Sequence, residues 1–170
     1  MRAHLVSLMT PLLVAAALLF ALPAAAQAAT WPVPTQAPSS ASADAMTLDE
    51  FETRLMVRIN EARVANGLRP VALFDSCTDK LAERWGKRIS STGVFAHRNQ
   101  SQVIRRCNSS WAGETLVRGS QLTPESMTQL WLDSPGHREI ILSARAKRAG
   151  VAVVADAQGR LIGVLNLTRK

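Results

Sequence analysis

Trp131-Leu132-Asp133-Ser134-Pro135-Gly136-His137-Arg138, continued by Glu139-Ile140-Ile141-Leu142, ends one helix and starts another. Ser134 is a residue type suited to cap a helix N-terminus, and Pro135 suits the first helical position. His137 then falls at the third position of a short helix running from Ser134 to Leu142. There the imidazole meets the positive end of the helix dipole, which disfavours its protonated form. A neutral imidazole so placed suits a metal ion or a polar ligand better than an ion pair.

Working outward, Thr47-Leu48-Asp49-Glu50 is a capping box. Phe51, Leu55, Ile59 and Ala62 follow at helical steps, and Asn66-Gly67 closes that helix. A second helix starts near Asp75-Ser76, carries Leu81, Trp85 and Ile89 inward, and stops at Ser91-Thr92-Gly93. Thr123-Pro124-Glu125 opens a third, with Met127, Leu130 and Trp131 inward. Residues 150–155 and 160–167 change to β-branched, apolar composition around the turn Asp156-Ala157-Gln158-Gly159. That pattern predicts an antiparallel C-terminal hairpin. Helices first and a hairpin last make an α+β chain.

Arg2 and His4 precede the apolar run Leu5 to Leu22, and Ala26-Gln27-Ala28 gives a small-x-small cleavage pattern. Residues 1–28 therefore read as a secretory signal peptide, with an uncleaved anchor as the alternative. Residues 29–45, rich in Pro, Ser and Ala, read as an extended linker. Residues 46–170 form one domain by length, large enough to stand as a monomer. The charge balance is 20 Lys plus Arg against 13 Asp plus Glu. An exported basic domain of this kind is drawn to anionic cell-wall or lipid components. The basic residues are dispersed, densest at Arg145-Ala146-Lys147-Arg148, and there is no tyrosine for base stacking. Nucleic acid is therefore not the expected partner. Cys77 and Cys107 are the only cysteines. With no C-x-x-C and no histidine at finger spacing, they predict a disulfide rather than a zinc site. Asn99, Asn108 and Asn166 each start an N-x-S/T sequon, a motif too short to assign glycosylation.

Outside the leader the histidines are His97, in Phe95-Ala96-His97, and His137. Glu114 stands in Ala112-Gly113-Glu114-Thr115-Leu116. Separations of seventeen and twenty-three residues are not a local metal motif. On spacing alone, two structural histidines and a carboxylate bonded to backbone amides explain them as well as a shared site does.

Taken together, these three segments resemble the bacterial, SCP-like extracellular branch of the CAP superfamily. That superfamily includes cysteine-rich secretory proteins, antigen 5 and pathogenesis-related protein 1. The resemblance spans Met46 to about Thr168. It implies a three-layer α-β-α sandwich with a central antiparallel sheet, and a cavity lined by histidines and glutamates. His97 matches the first histidine, Glu114 the glutamate of a Gly-Glu-Asn motif, and His137 the histidine of Ser-Pro-Gly-His-Arg. Thr115 replaces the asparagine, Ser134 stands where eukaryotic members carry a second glutamate, and Glu139 replaces another asparagine.

His97, Glu114 and His137 can serve zinc or another divalent metal with one position open, or a polar ligand without metal. Ser134 is placed in the same cavity, although its hydroxyl is expected to cap the helix. Arg138 sits either at the rim, as an anion partner, or on the solvent face. Trp85, Trp111 and Trp131 read as core. No G-x-S-x-G elbow is present. The chain thus reads as a secreted or cell-surface ligand-binding domain rather than an enzyme. A metal-assisted hydrolase, or an adhesive wall protein with a vestigial cavity, is the alternative.

Overall fold

The computed structural model describes residues 46–170; the signal peptide and linker expected at 1–45 lie outside them. Helix α1 (Leu48–Ala65) begins in the capping box, with Glu50 N–H donating to Thr47 Oγ1 at 3.2 Å and Thr47 N–H to Glu50 Oε2 at 3.0 Å. Helix α2 (Ser76–Thr92) is capped by Asp75 and ends on Gly93, whose φ of 71° is left-handed backbone that glycine adopts without strain. A seven-residue helix, α3 (Gln100–Arg106), leads into strand β1 (Trp111–Gly119). Helices α4 (Pro124–Asp133) and α5 (Pro135–Ile141) follow, then strands β2 (Arg148–Ala155) and β3 (Leu161–Arg169).

The sheet is antiparallel in the order β1-β3-β2. The hairpin forms as the sequence predicts, pairing Ala155 with Leu161 and Val151 with Leu165. Its turn is held by Asp156 Oδ1, which accepts from the N–H groups of Gln158 and Arg160. Neither α3 nor β1 was expected from the sequence, and the expectation that Leu130 points inward is corrected. Leu130 is 48% exposed, while Met127 and Trp131 are fully buried.

Alternation along the central strand builds three layers. Leu165 and Leu167 face α1, α4 and α5, joining Leu55, Ile59, Met127, Trp131 and Ile141 in the main apolar cluster. Ile162 and Val164 face α2, packing with Ala82, Ile89 and Leu116. A third cluster, Leu81, Val103 and Cys107, seats α3 on the α2 side. The Cys77–Cys107 disulfide joins the start of α2 to the end of α3, with Cα atoms 5.6 Å apart.

The outer edge of β2 is closed by side chains. Val151 N–H donates to Asp79 Oδ1 at 3.1 Å, and Val153 N–H to Glu52 Oε1 at 2.7 Å. Beside them Ala72 bonds Lys147 and Ala149 through the backbone. These contacts satisfy groups that an exposed sheet edge would offer to another chain. The other edge strand, β1, borders the candidate site. Among the described residues, no helix is long and apolar enough to cross a membrane.

Candidate ligand-binding cleft

Two glycine-dependent or aromatic contacts position the site. At Gly113 a Cβ would stand 2.7 Å from Ile140 Cγ2 and 3.2 Å from the Trp111 ring. The missing side chain lets α5 cross close to β1 and carries His137, one turn before Ile140, to the sheet edge. On the opposite face, Trp85 Nε1–H donates to Ala96 O at 3.0 Å, pinning the segment that carries His97. Arg98 stacks over the same indole, 5.4 Å from its centroid, and donates from Nη1 to Leu81 O at 3.1 Å. Trp85 is therefore half-buried and structural, not a wholly internal core residue.

The two imidazoles meet at the β1 edge with ring centroids 5.9 Å apart and planes inclined by 57°. Glu114, 2% exposed, has Oε1 placed 2.9 Å from His97 Nδ1 and accepts from Arg98 N–H at 3.0 Å on the same oxygen. A carboxylate acceptor at Nδ1 calls for the Nδ1–H tautomer, leaving Nε2 as the bare nitrogen. Burial pushes the Glu114 carboxyl above its usual range, opposed by the N–H of Arg98 and by His97. His137 is held below its usual range by burial first and by His97 second. It is accordingly neutral at pH 7, a state suited to accepting a hydrogen bond or a metal ion.

A cavity of about 510 Å³ opens over these residues. Its walls include His97, Glu114, Ser134 and His137, and also Gln100, Trp111, Glu139, Ile140, Ser143 and Arg145. Arg145 lies 5.2 Å over the Trp111 ring. Trp111 packs against the main apolar cluster, as expected, and also forms a wall of the cleft. Two expectations change. Ser134 is the N-cap residue of α5 and lines the cleft, but its side chain makes no capping bond. Arg138 is not among the lining residues; its Nε–H donates to Leu132 O, tying α5 back to α4. Asp133 faces away, accepting from Gln129 at 2.7 Å.

Among the described residues, no three His, Cys, Asp or Glu side chains are grouped so as to hold a metal ion. Glu114 turns one oxygen to His97 and keeps the other buried, so the potential ligands that face the cleft are the two imidazoles and, on its wall, the exposed Glu139 carboxylate. A serine nucleophile is not assembled either, since Ser134 makes no hydrogen bond to a histidine among the described contacts. Sequence reasoning missed Arg145, Trp111 and Gln100 as lining residues. Only the glycine before Glu114 hinted that another element would approach β1 there.

Comparison with known proteins agrees with this architecture. The family model described as CAP, cysteine-rich secretory protein family, matches residues 57–167. The uncharacterized protein YkwD of Bacillus subtilis is 29% identical over 127 residues, which are 71% of this chain and 46% of that protein. The chain therefore spans about half the length of that relative. An outer surface protein of Borrelia burgdorferi superposes with a TM-score of 0.67 at 18% identity, over 74% of this chain and 96% of its own. An extracellular protein containing an SCP domain from Bacillus anthracis superposes with a TM-score of 0.61 at 22% identity, over 74% of this chain and 44% of its own.

Proposed function

The chain belongs to the CAP family of cysteine-rich secretory proteins, and from that premise we propose that it is exported and works as a non-enzymatic ligand-binding domain at the cell surface. The ligand is a polar, anionic group, from a cell-wall polymer or a lipid headgroup, seated between His97 and His137. What carries this reading is the pair of imidazoles 5.9 Å apart in an open cavity, one oriented by a buried carboxylate and the other held neutral by burial. Arg145 at the cavity wall adds a cation for the ligand's charge.

A divalent ion such as zinc fits this donor set as an exchangeable guest and not as a closed structural site. His97 Nε2 and His137 would hold it, Glu114 would serve as the outer carboxylate that orients His97, and ligand or water would complete the coordination. When bound, the ion supplies positive charge for the anionic group. Both imidazoles must be neutral to bind it, so zinc affinity falls as pH drops below about 6.

The experiment compares the protein with the His97→Ala/His137→Ala double variant, titrated with zinc alone and with anionic phospholipid vesicles lacking zinc. Loss of at least about tenfold in affinity, 1.4 kcal/mol, in either titration supports the cleft. Undiminished binding of both probes to the double variant would refute it.

A further inference from the structure

Behind Glu114, the sheet carries polar side chains that its apolar surroundings do not explain. Asn166 on β3 is the direct cross-strand partner of Glu114, and Thr168 follows two residues later on the same face. Their exposures are 0% and 1%. Neither amide atom of Asn166, nor the Thr168 hydroxyl, nor Glu114 Oε2 has a hydrogen-bond partner among the described residues.

Directly paired side chains on adjacent antiparallel strands have Cβ atoms about 4.5–5.5 Å apart. Glu114 Oε2 and the Asn166 amide are therefore within reach of each other, directly or through one water molecule. A buried polar group left unpaired costs about 1–3 kcal/mol. Several such groups at neighbouring register positions on one face are of the kind that interior water satisfies, typically with about three hydrogen bonds. The third apolar cluster, with Cys77 and Ala112 packed against it, lies on this same face of the sheet. The α2 N-terminus is seated against Gly150, the other cross-strand partner of Asn166, so tightly that a Cβ there would stand 2.1 Å from the Asp79 backbone nitrogen. Arg98, whose Nε is likewise without a partner among the described residues, adds its positive charge to the surroundings of the Glu114 carboxylate.

We infer that Asn166 is a positioning residue for the cleft: with interior water it holds Glu114 Oε2, which fixes Oε1 on His97 Nδ1–H and leaves His97 Nε2 bare. The importance of that bare nitrogen rests on the ligand-binding reading above, but the positioning is measured with no ligand present.

The test records long-range ¹H–¹⁵N spectra of the histidine-labelled full chain at about pH 8, where histidine is neutral. The wild-type protein shows His97 as a single Nδ1–H tautomer. Asn166→Leu loses that single state and gains the Nε2–H form. Asn166→Ser, whose hydroxyl reaches the same water, restores it. Thr115→Val removes an equally buried, unpartnered hydroxyl from the opposite face of β1 and leaves the spectrum unchanged. A single Nδ1–H tautomer persisting in Asn166→Leu, with sheet amide shifts retained, overturns the inference, as does an equal change in Thr115→Val. Should Asn166→Leu not fold, Thr168→Val takes its place: it loosens the tautomer if the polar groups behind Glu114 act together, and an unchanged spectrum overturns the inference. Failed zinc or vesicle binding by a wild-type protein with the Nδ1–H tautomer intact would strike the proposed function alone.

Discussion

Arg63 and Glu114 are both buried ionisable side chains, 1% and 2% exposed, and the protein surrounds them in opposite ways. Arg63 donates from Nε to Arg69 O, from Nη1 to Ile141 O and Ser143 O, and from Nη2 to Ala146 O. No carboxylate neutralises it among the described contacts, and burial lowers its proton affinity. The carbonyl cage instead clamps α1 to the end of α5 and to the loop that carries Ser143 and Arg145. Glu114 concentrates its hydrogen bonds on one oxygen and leaves the other without a protein partner. A scaffold charge is enclosed by fixed dipoles on every side; the charge at the site stays incomplete and spends its one organised oxygen on a histidine.

The largest expected effect comes from removing the scaffold charge. Arg63→Met strands four carbonyls and should destabilise the fold by about 4 kcal/mol, in the range for breaking a buried charged network. Urea unfolding measures it, and a loss below about 1 kcal/mol would erase the contrast. Next in size is the disulfide. Cys77→Ser/Cys107→Ser opens a loop with a sequence separation of 30 and should cost about 3.5 kcal/mol in the chain-entropy model, or less where strain or residual structure intervenes. Because the bridge holds α3 beside the Glu114 face, exchange of the Val103 and Cys107 amides should rise before that of β3.

A second carboxylate, Glu52, bears on the same contrast. Glu52 caps the β2 edge, and burial first, then the nearby acidic groups Asp79, Asp49 and Glu83, push it up to about 7. A carboxyl raised in the folded state binds its proton more tightly there than in the unfolded chain. Its contribution is fully present below the unfolded value near 4.5 and is lost as pH rises through 7. Glu52→Gln should therefore flatten stability between those values. At pH 8 it should unfold at higher urea than wild type, by an amount of order 1 kcal/mol after screening. Equal pH slopes for the two proteins would count against this.

The smallest effect is at Ser134. With no capping hydrogen bond to lose, Ser134→Ala should change stability by less than about 0.5 kcal/mol, where a working N-cap would cost about 1 kcal/mol. Thermal unfolding distinguishes the two.

Where the sequence was legible, single residues carried strong local rules. Thr47 with Glu50, Asp75, Gly93, Pro124 and Pro135 fix helix ends through their own side chains or φ values. The hairpin was legible because Asp156 and Gly159 punctuate two β-branched runs. Helix α3 escaped because seven residues with one buried side chain, Val103, show no period. Strand β1 escaped because Gly113 and the buried Glu114 break apolar alternation at the positions where α5 and His97 approach. The site divides along the same line. His97, Glu114 and His137 were found through sequence motifs, whereas Trp111 and Arg145 reach the cleft only through the crossing of α5 over β1. That crossing depends on the missing Cβ of Gly113, and the glycine itself was its one local hint.

The most direct test of the contrast is Glu114→Gln, with urea unfolding and zinc titration run on the same preparation. Stability should stay within about 1 kcal/mol of wild type, since a neutral amide relieves a buried charge while keeping its shape. Zinc affinity should fall about 10- to 100-fold, as for loss of an outer carboxylate. A Glu114→Gln protein destabilised as severely as Arg63→Met, with its zinc affinity intact, would make Glu114 a scaffold charge like Arg63 and contradict the account.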